Sequence, residues 1–490
     1  MLAQPAAVVM RYFAVALDYD GTLASHGQVA PATVAALERA AALGRRLVLV
    51  TGRQIEELER VFPRISLFAQ VVAENGAVLY DPSSGRVREL EQAPPASFVT
   101  TLRARGVDPI AVGRVIVATW EPHQATVLDT IRAMGLELHV EFNKGAIMVL
   151  PAGVTKRTGL SVALDDLGLS PHNVVAVGDA ENDHAFLTYC GCAVTVANAL
   201  PALQAGSDWV TPGRNGQGVI QLLDRLLADD LHGVAGSRWA PVVARCPTGA
   251  SAGEEVSPAS PAGRPPGVLV DSQGMRVLVL DAPPGEAAAA GAGRGIGRLL
   301  LERLSAVGLQ LGVVDPDGTH ADPPGAAVVG RDGRAPSVEE VTALLEQHPR
   351  RSVVAVLHRV ASNERWAWLR GLLGRVGPLR ARWGRPHWIV VHDAHRVLPA
   401  PSALPPDRPA LLGGIVLETP HPAGLPSAVL DDVDVVLAAP EFAEASLAGF
   451  ARATGKSPPR LPAVCSGANR IVAWRVAHGP AIAAEIPSVG

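Results

Sequence analysis

Four short patches of this chain hold residues that could do chemistry together: Asp18-Tyr19-Asp20-Gly21-Thr22, Thr51-Gly52-Arg53, Lys156, and Gly178-Asp179-Ala180-Glu181-Asn182-Asp183. An Asp carboxylate such as Asp18 can attack phosphorus to give an aspartyl-phosphate. A second carboxyl two residues on, Asp20, can protonate the leaving oxygen and later activate water. A phosphoryl group in flight needs its equatorial charge cancelled and its nucleophile held in line. Thr51, with Gly52 beside it, brings a hydroxyl to the phosphate oxygens, and Lys156 brings a positive charge. Magnesium prefers hard oxygen ligands and retains waters, which suits Asp18, Asp179 and Asp183. Lysine occurs only at Lys144, Lys156 and Lys456, so one in this register is informative.

Each patch alone has a plainer reading. Asp-x-Asp at a strand end is commonly a turn or helix cap, Thr51 a cap, and Asp179 with Asp183 a solvated turn. It is the four together that specify a phosphate site with a metal. Around them, Arg53 either meets the substrate or caps a helix, and Glu181 and Asn182 either orient metal-bound water or cap the next helix. Asn75 lies in a loop able to touch phosphate or substrate. Lys144, in Asn143-Lys144-Gly145, either reaches an anionic substrate end or sits in a solvated hairpin turn. His26, His123 and His184 show no metal-ligand spacing and read as surface or capping residues. Cys190, Cys192, Cys246 and Cys465 form no paired metal knuckle and read as structural thiols of a reducing compartment.

The elements that must position these residues follow from periodicity. Phe13 to Leu17 and Arg46 to Val50 are apolar runs ending at Asp18 and Thr51, with a helical pattern from Pro31 to Leu43 between them. Val71 to Tyr80 reads as a strand pair around Glu74-Asn75-Gly76, where Asn-Gly is a turn signal. Lys156 opens a helix, and Val174 to Val177 forms a strand ending at Gly178-Asp179. Strands alternating with helices predict a parallel α/β sheet with sites at its carboxyl ends.

In this order and context, the motifs D-x-D-G-T, T-G-R, Lys and G-D-x-x-N-D resemble the haloacid dehalogenase superfamily over roughly residues 12 to 230. The resemblance implies Asp18 as nucleophile and Asp20 as general acid/base and donor of a backbone carbonyl to Mg2+. It implies Thr51, Gly52 and Lys156 as phosphate binders, Asp179 as metal carboxylate and Asp183 as its support. The stretch 85–150, between the second and third motifs, resembles the inserted α/β cap of Cof-type (class IIB) phosphatases. The expected arrangement is a Rossmann-like core at 1–84 and 151–230, the cap at 85–150, a Pro/Gly/Ser-rich linker at 231–267, and a second α/β domain at 268–490.

In that second domain, a strand (Val277 to Leu280), a glycine-rich stretch to Gly297 and a helix suggest a phosphate-cradling loop without the Gly-Lys-Ser/Thr of a working P-loop. Backbone amides at the helix N-terminus could still bind an anion, with Arg298 as a substitute charge. Asp315-Pro316-Asp317-Gly318 and Trp388-Ile389-Val390-Val391-His392-Asp393-Ala394-His395, each following or including an apolar strand, resemble the HerA/FtsK-type P-loop ATPases over about 268 to 470. There the first acid of the Asp-Glu-Ala-His box has become His392. The resemblance implies a degenerate P-loop ATPase-like domain kept for structure, regulation or assembly, and able to support a homo-oligomer.

Composition narrows the classes further. With 490 residues, 48% hydrophobic and 18% charged, the chain can bury cores and is not disordered as a whole. A net charge of −4, with neither half strongly basic, argues against a nucleic-acid partner. No apolar run reaches the ~18 residues of a membrane span, and the N-terminus lacks signal-peptide features. The expectation is a cytoplasmic Mg2+-dependent phosphatase of a small phosphorylated metabolite, such as a sugar phosphate or phosphoglycolate. Phosphomutase, or a nucleotide- or partner-binding assembly protein, is the alternative.

Overall fold

Short apolar runs with alternating faces, closed at one edge by a polar strand, build the first sheet. In the computed structural model these are β1 (Ala14–Leu17), β2 (Arg46–Val50), β3 (Gln70–Ala73), β4 (Val78–Asp81) and β5 (Arg86–Glu89). A second group is β6 (Ala111–Val112), β7 (Val117–Trp120), β8 (Leu138–Asn143) and β9 (Ala146–Pro151), followed by β10 (Val174–Gly178), β11 (Cys192–Thr195) and β12 (Trp209–Val210). The structure describes residues 10–143, 145–231, 234, 242–245, 267–269, 275–281, 295–400, 413–462, 470–476 and 480–486. The chain divides into two units, Met1–Arg238 and Trp239–Gly490. Most of the 231–267 linker, Lys144, the glycine-rich residues 291–294, Cys246 and Cys465 lie outside the described residues.

In the first unit one sheet runs β12-β11-β10-β1-β2-β3-β4-β5. Its strands are parallel from β12 to β3, then antiparallel through β4 and β5. Strand β5 falls inside the 85–150 stretch read as an insertion, yet it pairs with β4 and so extends the core sheet. Period-two alternation sends Val15, Leu17, Leu47 and Leu49 to one face, against Leu37, Leu222 and Leu226. Ala14, Ala16, Val48 and Val50 go to the other face, against Leu160, Leu164 and Phe186. Each buried Leu, Val or Phe contributes about 1.5–3 kcal/mol. Two-sided burial of this kind suits a parallel sheet and leaves polar side chains only at its strand ends.

Strands β6 to β9 form a separate antiparallel sheet, ordered β6-β7-β9-β8. With the helices Ala96–Ala104 and Gln124–Ala133 it encloses its own core of Phe98, Leu102, Val117, Val127, Ile147 and Val149.

The second unit is also α/β. Its strands are the antiparallel pair β13 (Val242–Arg245) and β14 (Gly267–Leu269), then β15 (Arg276–Leu280), β16 (Leu311–Asp315), β17 (Ala327–Val329), β18 (Val353–Val356), β19 (Trp388–Val391), β20 (Ile415–Glu418), β21 (Val435–Ala438), β22 (Arg470–Arg475) and β23 (Ile482–Glu485). Nine of them make one sheet, ordered β17-β18-β16-β19-β20-β15-β21-β22-β23, parallel from β17 to β21. Among the described residues no helix is long and apolar enough to cross a membrane.

Candidate active site

Because β1, β2 and β10 lie side by side and parallel, their carboxyl ends bring Asp18, Thr51 and Asp179 to one edge of the sheet. Lys156 arrives from the N-terminus of the helix Lys156–Asp166. There Thr155 and Thr158 cap each other: the Thr155 hydroxyl accepts from the Thr158 amide at 3.3 Å, and the Thr158 hydroxyl from the Thr155 amide at 2.9 Å. Gly76, at φ +106°, lets this helix start come close, since a Cβ there would lie 2.0 Å from the Thr155 carbonyl oxygen.

At the centre, Lys156 Nζ donates to Asp18 Oδ1 and to Asp183 Oδ1, both at 2.6 Å, and all three side chains are buried. The other oxygen of Asp183 accepts from the amides of Asp179 and Ala180 at 2.8 and 2.9 Å, so Asp183 braces the turn that presents Asp179. Ligating atoms of Asp18, Asp179 and Asp183 lie within 4.8 Å of one another. Two buried carboxylates, Asp18 and Asp183, thus share one lysine, with the buried Asp179 beside them. Burial, with repulsion from Asp183, pushes the Asp18 carboxyl up to about 7 against the pull of Lys156. Burial works against the charge on Lys156, but Asp18 and Asp183 outweigh it and hold the ammonium above the usual lysine range. An oxygen-lined, over-anionic pocket of this kind fits a divalent cation such as Mg2+.

Thr51 is buried, and its hydroxyl accepts from the Arg53 amide at 3.1 Å. Gly52 faces the inserted sheet: a Cβ there would stand 3.6 Å from Asn75 Oδ1 and 3.7 Å from Met148 Sδ. Asp20 is set apart from the buried group. Its carboxylate is half-exposed and takes two parallel hydrogen bonds from Arg53, at 2.6 and 2.7 Å. Arg53 also donates to Glu57 and lies over the Tyr19 ring, so it is engaged with protein groups on three sides.

Asn75 sits in the left-handed region at φ 57°, a conformation Asn tolerates. It accepts from Asn182 Nδ2 at 2.9 Å and donates to Glu141 of β8, which links the fourth motif, the core loop and the inserted sheet. Burial raises the Glu141 carboxyl above its ordinary range.

Sequence reasoning missed four contributors. Thr22 donates to Asp179 Oδ1 at 3.3 Å, and Asn198 lies 3.4 Å from Asp179 Oδ2 while donating to the Gly21 carbonyl at 2.8 Å. Glu74, fully buried, accepts from the amides of Arg114, Val115 and Ile116 at 2.8 to 2.9 Å and so pins the β6–β7 turn to the core. Glu141 is the fourth. Thr22 and Glu74 stood inside quoted segments without a role; Asn198 and Glu141 carry no local pattern that would mark them.

In the second unit, the helix Ile296–Ala306 starts beside Asp281, whose carboxylate accepts from the Ile296 and Gly297 amides at 2.9 and 3.1 Å. The donors expected to greet an anion are therefore met by the chain's own carboxylate. Arg298 turns along its helix to Glu302 at 2.9 Å.

Residues 15–113 and 129–223 match the family described as haloacid dehalogenase-like hydrolase. A phosphoglycolate phosphatase of Methanothermobacter thermautotrophicus is 30% identical over 223 residues, 44% of this chain and 98% of that protein. Phosphoglycolate phosphatase 2 of Saccharolobus solfataricus is 27% identical over 221 residues, 44% of this chain and 92% of that protein. A solved haloacid dehalogenase-like hydrolase from Bacteroides thetaiotaomicron superposes with a TM-score of 0.39 at 22% identity, covering 44% of this chain and 99% of its own.

Proposed function

We propose, from the premise that this chain belongs through its N-terminal half to the haloacid dehalogenase-like hydrolases, that it releases inorganic phosphate from a small phosphorylated metabolite with the help of Mg2+ and through an aspartyl-phosphate at Asp18. The reaction class is phosphoric monoester hydrolysis. What carries the reading is the buried triangle in which Lys156 Nζ lies 2.6 Å from both Asp18 and Asp183 at the sheet's carboxyl edge.

Lys156 holds Oδ1 of Asp18, which leaves Oδ2 to attack phosphorus in line with the departing ester oxygen. The phosphorus–ester bond breaks, and Asp20, entering the cycle as the carboxylic acid, gives its proton to the leaving alkoxide. Asp20 then takes a proton from water as that water's oxygen attacks the phosphoryl group, freeing phosphate and restoring Asp18. Thr51 and Lys156 hold the phosphoryl oxygens. Asp18, Asp179 and the Asp20 carbonyl would hold Mg2+, which when bound cancels charge on those oxygens. Asn75, Glu141 and Asn182 link core and insert, where the rest of the substrate would be read. Names of relatives favour phosphoglycolate, and a sugar phosphate is the second candidate.

A panel of phosphorylated metabolites with Mg2+ tests this by phosphate release. Wild type should turn over at least one, and Asp18→Asn should lose roughly a thousandfold or more. Undiminished turnover by Asp18→Asn would overturn the assignment, and isomerisation of a sugar phosphate without phosphate release would make the enzyme a mutase.

For the second unit the reading is an ATPase-like domain without ATP turnover. Asp281 at the helix N-terminus and His392 in place of an acid support it.

A further inference from the structure

Strand pairing fixes which side chains the inserted sheet turns toward the core. Paired residues share a face, so three rows cross the sheet: His139 with Leu150, then Glu141, Met148 and Ala118, then Asn143, Ala146 and Trp120. Leu150 of the first row is buried with the core residues of the main sheet. The middle row meets the active site, since Glu141 accepts from Asn75 and Met148 Sδ lies 3.7 Å from where a Cβ on Gly52 would stand. One step outward, Trp120 is 54% exposed, a large apolar surface on the same face as the site.

The unmet polar atoms beside it are acceptors. Asn143 Oδ1 and Asn182 Oδ1 are buried without a hydrogen-bond partner among the described residues. Glu141 Oε1 stands 3.8 Å from His139 Nε2, beyond hydrogen-bond length. The cations of the site are already engaged, Lys156 by Asp18 and Asp183 and Arg53 by Asp20 and Glu57. A ligand carboxylate would add acceptors and set a like charge against Glu141, whereas hydroxyls would bring the missing donors. Trp120 and Asn143 are two strand spacings apart, about 10 Å, with the small Ala146 between them, a floor wide enough for one six-membered ring.

We propose, resting on the phosphatase reading, that Trp120, Glu141 and Asn143 are specificity-determining residues that take the ring of a phosphorylated hexose and turn away the carboxylate of phosphoglycolate. The indole offers a flat apolar face to the C–H face of the sugar, and the acceptors of Glu141 and Asn143 take its hydroxyls. This reverses the order in which the relatives' names place the two candidates.

The test compares phosphate release by the full chain with Mg2+ from a hexose 6-phosphate, phosphoglycolate and a nucleoside 5′-monophosphate. The hexose phosphate should have the highest kcat/KM, by about 10-fold or more. Trp120→Ala, which removes an exposed side chain, should lower that value about 10-fold through KM and leave phosphoglycolate unchanged. Glu141→Gln should raise turnover of phosphoglycolate relative to the hexose phosphate. A higher kcat/KM for phosphoglycolate or the nucleotide would overturn the proposal, and so would equal losses on all three in Trp120→Ala. Calorimetry with Asp18→Asn separates this from the phosphatase reading. Tighter binding of the hexose phosphate than of phosphoglycolate, with no turnover by wild type, would sink hydrolysis and keep the specificity; hydrolysis of phosphoglycolate with no binding of the hexose phosphate would do the reverse.

Discussion

Asp20 is clasped by Arg53 through two parallel hydrogen bonds, 2.6 and 2.7 Å long, outside the buried group that Lys156 organises. The residue assigned proton transfer thus faces an arginine fork, and it must leave that fork and take up a proton before it can serve a leaving alkoxide.

Asp20→Asn should therefore lose about 10²- to 10⁴-fold with alkyl phosphates, whose alkoxides need a proton. With p-nitrophenyl phosphate, whose leaving group departs unprotonated, the first half-reaction should be nearly spared. Single-turnover rates for both esters check this; equal losses in phosphoenzyme formation would contradict it.

Asp18 ties pH to the cation. Its carboxyl is pushed up to about 7 by burial and by Asp183, so without a cation the nucleophile is protonated below that pH. A bound divalent ion favours the ionised form, so binding releases a proton and Mg2+ should be bound more weakly at pH 6 than at pH 8. In EDTA the folded state binds more protons than the unfolded state between about pH 4 and 7. This contribution to stability is full below about pH 4 and is lost as pH rises through about 7. Melting temperatures in EDTA at pH 6 and 8, repeated with Mg2+, should show a fall with pH that Mg2+ reverses.

Asn198 joins Asp179 to the Gly21 carbonyl and accepts from the Asn215 amide at 2.8 Å. Supporting residues of this sort orient a metal carboxylate, and Asn198→Ala should weaken Mg2+ activation by about 10- to 100-fold. Activity titrated against Mg2+ is the measurement. The maximal rate at saturating Mg2+ should recover largely.

The second unit should not hydrolyse ATP. Asp281 already takes the first amides of the helix Ile296–Ala306, and an incoming phosphate would have to displace it. Asp281 is itself pushed up to about 7 by burial and the neighbouring Glu418. Calorimetry with Mg-ATP should give no binding at micromolar concentrations, and phosphate release from ATP should match that of Asp18→Asn.

The core of the site was legible because its chemistry is written locally. Asp18, Thr51 and Asp179 each follow an apolar run, so a parallel sheet is enough to bring them together; Asp183 closes the turn four residues past Asp179, and Lys156 stands out in a chain nearly devoid of lysine. Glu74 was not legible, since its partners are the amides of Arg114, Val115 and Ile116, some forty residues on. Glu141 and Asn198 likewise gain meaning only from what the fold sets beside them. The same holds for Trp120, which the pairing of β7, β9 and β8 sets in one row with Asn143. Arg53 read as a substrate or capping residue because nothing in the local pattern announces a fork around Asp20. Strand β5 read as part of the insertion because Arg86–Glu89 is polar, and only its pairing with β4 makes it core.

The most direct test of Asp18 as nucleophile is the stereochemical course at phosphorus, followed with a phosphorothioate substrate made chiral with oxygen isotopes and hydrolysed in water of the third isotope. Transfer to Asp18 and then to water is two in-line displacements, so the account predicts net retention. Net inversion would mean that water attacks the substrate in a single step, and the assignment of Asp18 would be wrong.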